Sequence, residues 1–334
     1  MNETDKRKMR LLYHQSAIHT RYSVLPDYSL NASEWQFYPA TENLEPFPNL
    51  ELRMKWFNAT APALSLQAIK DCINNRINKD EITHLVMVSC TGMSAPGLDL
   101  QVMELLNLRP NIFRTSINFM GCYAAIHGLK LADAFCGNDP DAKVLVVCTE
   151  LCTLHFQKEN TMDNIASSLL FGDGAAAMLI TGNNYKEKGL SINKFYSEVS
   201  FKGKQDMSWQ LSSSGFLMTL SGYIPDLIEQ DFNTLLCNAL DNAGFSKKDI
   251  SHWCIHPGGK RVLQSIEKSI DVTAEDLKYS YDVLKNYGNM SSPTILFVLK
   301  EIMDSLGGSN GNANIFGAAF GPGLTLETFI LSDG

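Results

Sequence analysis

The stretch Thr115–Cys136, T-S-I-N-F-M-G-C-Y-A-A-I-H-G-L-K-L-A-D-A-F-C, decides how the rest of the chain is read. A short strand-like run ends in an abrupt turn at Gly121, and an apolar helix is expected from Cys122 onward. Gly121 carries no side chain where the backbone must bend. Cys122 then stands among the unpaired N–H groups of a helix start, whose partial positive charge favours a thiolate. On this stretch alone two readings are open. Cys122 is either a nucleophile displayed on a turn or a small buried residue at the head of a core helix.

Working outward, three segments recur in the same order. Glu81–Cys90 (E-I-T-H-L-V-M-V-S-C) returns as Asp249–Gly258 (D-I-S-H-W-C-I-H-P-G). Met120–Lys130 returns as Met290–Lys300, each opening an apolar helix, and Phe171–Ile180 (F-G-D-G-A-A-A-M-L-I) returns as Phe320–Phe329 (F-G-P-G-L-T-L-E-T-F). Three collinear matches indicate a duplicated unit. We place the halves at residues 1–185 and 186–334, divided at the polar N-N-Y-K-E-K of 183–188.

The remaining pattern alternates strands and helices. Helix is expected over 62–78, strand over 82–89, helix over 97–107, and strands over 143–148 and 175–180. In the second half a strand over 190–201 precedes a helix over 225–243 and the repeated elements. Such alternation implies α/β architecture with sites at strand C-termini. The chain has 334 residues, 45 % apolar and 19 % charged, enough for two core-forming units. Its net charge of −8 argues against nucleic acid or an anionic membrane as partner. No apolar run is long enough to span a bilayer, and the first residues, M-N-E-T-D-K-R-K, lack the core of a signal peptide. A cytoplasmic protein is expected. The eight cysteines show neither a disulfide framework nor a zinc pattern.

His256 follows the strand ending at Ile255 and precedes P-G-G-K-R, a strand carboxyl end beside a glycine turn. Asn289 lies just before the helix from Pro293, where its amide either caps the helix or faces a cleft. In the duplicated alignment Asn289 enters its helix where Cys122 enters the other, so pseudo-twofold packing brings Cys122, His256 and Asn289 together. That set activates a thiolate by an imidazole and offers two donors to a developing oxyanion.

Gly121-Cys122, F-G-D-G at 171–174, I-H-P-G-G at 255–259, Y-G-N-M-S-S at 287–292 and F-G-P-G-L-T-L-E-T at 320–328 resemble type III polyketide synthases, the chalcone-synthase-like branch of the thiolase superfamily. The resemblance implies a five-layered αβαβα fold, a homodimer, and decarboxylative condensation of malonyl-CoA onto an acyl-CoA starter, with no permanently bound cofactor or metal. By matching, Cys122 is the nucleophile, His256 and Asn289 form the oxyanion site, Phe171 is a gatekeeper, Ser291 lies in the substrate cavity, and Phe320, Gly321, Pro322 and Gly323 form a scaffold loop. The other readings are a ketoacyl synthase III-like condensing enzyme, a cysteine acyl hydrolase, and a non-catalytic acyl-binding protein.

The chain also departs from that pattern. Met218 stands where the resemblance implies a second phenylalanine gatekeeper. Trp209 stands where the cavity wall usually has glycine, Phe216 where leucine is common, and His155 where chalcone synthases have threonine. A smaller cavity and a small product follow, unless a local gap shifts Trp209 into the ordinary core. Arg53 and Lys55 are the nearest matches for cations that meet coenzyme A phosphates. A strand opens the second half near Leu190 with no counterpart ahead of the first half, so the first sheet is expected to be one strand short.

Overall fold

The segment His84–Ser89 is buried along its whole length, as the apolar run from Leu85 to Val88 requires of a central parallel strand. Around it a computed structural model describes residues 3–187, 189–307 and 313–333. The chain runs α1 (Glu3–Gln15), α2 (Leu50–Ile73), β1 (His84–Ser89), α3 (Leu98–Leu106), β2 (Phe113–Asn118), α4 (Ala124–Asn138), β3 (Lys143–Leu151), α5 (Met162–Leu170) and β4 (Asp173–Thr181). It continues with β5 (Leu190–Val199), β6 (Met207–Ser212), β7 (Gly215–Leu220), α6 (Ile224–Ala243), β8 (His252–Ile255), α7 (Lys260–Ile270), α8 (Lys278–Tyr287), α9 (Pro293–Leu306), β9 (Asn314–Gly321) and β10 (Thr325–Asp333).

Two four-stranded sheets result, ordered β2-β1-β3-β4 and β5-β10-β9-β8, beside a two-stranded one, β6-β7. β1 runs parallel to β2 and β3, and β8 runs parallel to β9, while β4 and β10 pair antiparallel with β3 and β9. Helices α4 and α9 lie between the sheets; Ile126, Leu129, Ile295 and Leu299 share a core there with Val86, Val146 and Phe329. α2 and α3 cover the outer face of the first sheet, and α6 and α7 that of the second. The layers therefore read αβαβα. The repeated segments occupy equivalent places: β1 and β8, α4 and α9, β4 and β10.

The expected strand deficit is absent, since each of the two large sheets has four strands among the described residues. β5 has no equivalent in the first half, but β2 has none in the second: the segment before Asn289 forms α8 and touches a strand-like neighbour only through an isolated bridge, Phe171 to Asn289. One other expectation shifts. The helix expected from Pro62 begins at Leu50, where the Asn49 side chain accepts the Leu52 N–H, and Pro62 lies in its interior. The Ser-rich stretch before Gly215 is a hairpin, β6–β7, that pairs Trp209 with Met218.

Candidate active site

Cys122 is buried on the turn between β2 and α4. Regular helix begins only at Ala124, so Cys122 precedes it rather than opening it. The turn is tightly wound: Phe119 has φ +59 and Gly121 φ +87. A Cβ on Gly121 would lie 2.3 Å from Pro322 Cδ, and one on Gly321 would lie 2.5 Å from the Tyr123 ring. The F-G-P-G loop is thus moulded directly onto the Cys122 turn.

Asn289 arrives from the other half. Its Oδ1 accepts the Ser291 N–H at 2.8 Å, and its amide atoms lie 3.9–4.0 Å from Cys122 Sγ. Asn289 does not cap α9, whose N-cap is Ser292 without a side-chain cap bond; its oxygen is held in the Ser291 turn and its amino group is left to donate. The Asn289 backbone is bonded on both sides of Phe171, to Leu170 O and from Gly172 N, each at 2.9 Å. His256 sits just past β8 with its backbone N–H on Ala318 O, and its two ring nitrogens are buried with no partner among the described residues.

Burial pushes the Cys122 thiol up to about 11, against the pull of Ser291, Asn289 and its own backbone N–H. Burial also lowers His256 to about 3. Both shifts favour the uncharged forms. The thiolate expected from the helix start is outweighed, because the sulfur is shut away from water and the helix begins two residues later.

Cys122, His256 and Asn289 line one cavity of about 980 Å³. Phe171, Met218, His155, Trp209, Phe216, Ser291, Phe320 and Pro322 line it too. Gly321 supports Tyr123 from behind, and Gly323, at φ +75, shapes the loop without lining the cavity. His155 stacks on Phe216 with ring centroids 4.3 Å apart, and Trp209 meets both edge-on. Trp209 thus lies in the cavity wall. His155 accepts the Phe216 N–H on Nδ1 and donates from Nε2 to Thr91 O at 2.7 Å; burial lowers its pKa to about 3, so it stays neutral.

Arg53 and Lys55 are not in the cavity lining. Arg53 is fully buried, donating to the carbonyls of Pro48, Leu154 and Phe156 and packed against Phe37 and Phe47, while Lys55 is exposed. The cationic lining residues are instead Arg21, Lys260 and Arg261, and among the described residues the lining contains no aspartate or glutamate. The K-R after H-P-G-G was the available signal for the last two. The sequence reading also missed Cys90 and Thr91, whose loop forms the wall beside Cys122.

A buried cysteine on a strand–helix turn, joined by an imidazole and an amide from a duplicated half, defines a thiolase-like acyl-transferring enzyme. Family models for the N-terminal and C-terminal domains of chalcone and stilbene synthases match residues 2–184 and 196–333. The chain is 31 % identical over 342 residues to "Probable polyketide synthase 1" of Dictyostelium discoideum, covering 98 % of this chain but only 10 % of that protein. It is 29 % identical over 321 residues to "Alpha-pyrone synthesis polyketide synthase-like Pks18" of Mycobacterium tuberculosis, covering 95 % of this chain and 80 % of that one. The solved structure of PKS-I from the brown alga Ectocarpus siliculosus superposes with a TM-score of 0.92 at 27 % identity, covering 99 % of this chain and 90 % of that one. The chain belongs to the chalcone and stilbene synthase family, and it is a type III polyketide synthase. The ketoacyl synthase III-like reading is not favoured. No helix among the described residues is long and apolar enough to cross a membrane.

Proposed function

We propose that Cys122 accepts an acyl group from a coenzyme A thioester and extends it with malonyl-CoA to a small polyketide. The observation that carries this reading is the convergence of Cys122, His256 and Asn289 on one cavity walled by His155, Phe216 and Trp209. In loading, His256 takes the thiol proton; sulfur attacks the acyl carbonyl, the new C–S bond forms, and coenzyme A leaves as the thiol with that proton. Malonyl-CoA then loses CO₂, and the electron pair of the broken C–C bond passes into an enolate. His256 and the Asn289 amino group donate to its oxygen. The enolate carbon attacks the acyl carbonyl on Cys122, forming a C–C bond and releasing sulfur.

Three bulky rings in the wall limit growth, because close-packed side chains yield little space. One to three extensions, or a short starter, fit this wall. We assign the coenzyme A phosphates to Lys260 and Arg261, half-buried and exposed at the solvent end of a lining free of carboxylates. The enzyme acts as a homodimer through β2, an outer strand whose Phe113 is 70 % exposed, and works in the cytoplasm; residues 1–185 and 186–334 are its two halves. Mass spectrometry of products from malonyl-CoA with a panel of starter thioesters tests the reading. Decarboxylative extension to di-, tri- or tetraketides is expected; release of free acid without extension overturns it.

A further inference from the structure

Trp209 does more in the structure than occupy volume. Its Nε1–H donates to Cys90 O at 2.7 Å. Cys90 is fully engaged: its backbone N–H donates to Glu150 Oε2 at 2.8 Å, and its Sγ accepts the Gly121 N–H at 3.0 Å. The Cys90 thiol in turn lies 3.9 Å from Gly121 O. Burial holds that thiol well above its ordinary pKa, so it bonds as a neutral group.

Gly121 is bonded here one residue before the nucleophile, in a turn that also forces Phe119 to φ +59. A bulky residue with positive φ persists only where its surroundings over-determine it. The Phe119 ring is held edge-on against Phe216, 5.0 Å between centroids, and Phe216 belongs to the same ring cluster as His155 and Trp209. His155 completes the link by donating to Thr91 O, the carbonyl next to that of Cys90. Two successive carbonyls of the Cys90–Thr91 loop are therefore capped by the side chains that wall the cavity.

We infer that Trp209, acting through Cys90, is a positioning residue for the Cys122 turn, so that the wall limiting product size also sets the geometry of the nucleophile. This rests on the assignment of Cys122 as the nucleophile. When the Trp209 bond is lost, the Cys90 carbonyl loses its anchor while the Glu150 and His155 bonds remain. The Gly121 N–H then loses a fixed acceptor, and the Cys122 N–H no longer meets its own sulfur in one orientation.

The test uses the full chain and needs no coenzyme A substrate. The rate of Cys122 alkylation by iodoacetamide is followed by peptide mass spectrometry across pH 6–10, with product length measured in parallel. Trp209→Phe keeps a bulky ring and loses the N–H. Its alkylation is expected to slow by about fivefold, the worth of one net hydrogen bond. Cys90→Ala is expected to slow alkylation at least as much, and Cys90→Ser, which keeps an acceptor, to recover to within about twofold of the parent. Parent-like rates and pH profiles for both Trp209→Phe and Cys90→Ala overturn the inference, as does a Cys90→Ser variant no better than Cys90→Ala. Should Trp209→Phe unfold, the Cys90 pair decides. Because alkylation reads Cys122 directly, failure of the polyketide reading leaves a different signature: normal alkylation with no extended product.

Discussion

Pro322 closes directly over Gly121: a single methyl group on Gly121 would stand 2.3 Å from Pro322 Cδ. The Phe320–Gly323 loop and the Cys122 turn are therefore a matched pair, and the match is possible only with glycine at φ +87. Gly121→Ala is expected to cost about 1–2 kcal/mol from the backbone alone, and more from the clash. Thermal melting and acyl loading measured together check this; a variant that loads at the parent rate with an unchanged melting temperature contradicts the packing.

Asn289 separates two steps. Its amino group lies near Cys122 Sγ while its oxygen is held by the Ser291 N–H. Asn289→Ala is expected to lower CO₂ release from malonyl-CoA by about 10²–10³, as loss of one oxyanion donor does, while leaving acyl loading within about tenfold. Full decarboxylation by the variant would leave Asn289 only its role in holding the Ser291 turn.

Glu150 gives a pH signature. It is fully buried and accepts from Cys90 N, Thr91 Oγ1 and Ser292 Oγ, yet burial raises its pKa from 4.5 to about 7. A carboxyl raised in the folded state binds its proton more tightly there than when unfolded. Its contribution to stability is therefore present below pH about 4.5 and lost as pH rises through about 7. Glu150→Gln keeps the shape, with the amide donating to Ser292, and removes the titration. The melting temperature of the parent should fall relative to the variant between pH 5 and 8; parallel curves would contradict the assignment.

Lys260 and Arg261 are expected to recognise phosphate rather than the acyl group. Lys260→Ala with Arg261→Ala should raise KM for malonyl-CoA roughly tenfold, an effect weakened by salt, and leave KM for a phosphate-free N-acetylcysteamine thioester unchanged. Equal effects on both substrates would place the coenzyme A phosphates elsewhere.

Much of this site was legible before any coordinates. The three collinear repeats place Cys122 and Asn289 at equivalent helix starts because duplication fixes connectivity, and connectivity fixes which strand ends meet. Local geometry was less legible. The helix after Cys122 starts late because Gly121 and Phe119 wind the turn under Pro322, a contact about 200 residues away in sequence. Strand counting failed at the sheet edges, where β2 and β5 have no equivalent in the opposite half and edge pairing depends on what lies alongside. Arg53 was misread for a related reason. Charge suggests a surface, but its guanidinium is spent on three backbone carbonyls inside an aromatic cluster. Lys260 and Arg261 carried a local signal, following a glycine turn at a strand end, where the fold places its cavity.

The central claim is that acyl groups are carried on Cys122. Intact-protein mass after incubation with a starter acyl-CoA alone, followed by peptide mapping, tests it most directly because Cys90 and Cys152 line the same cavity. One acyl mass located on Cys122, and absent from a folded Cys122→Ala variant, is the expected result. An adduct that persists on that variant, or that maps to Cys90 or Cys152 in the parent, would contradict the account.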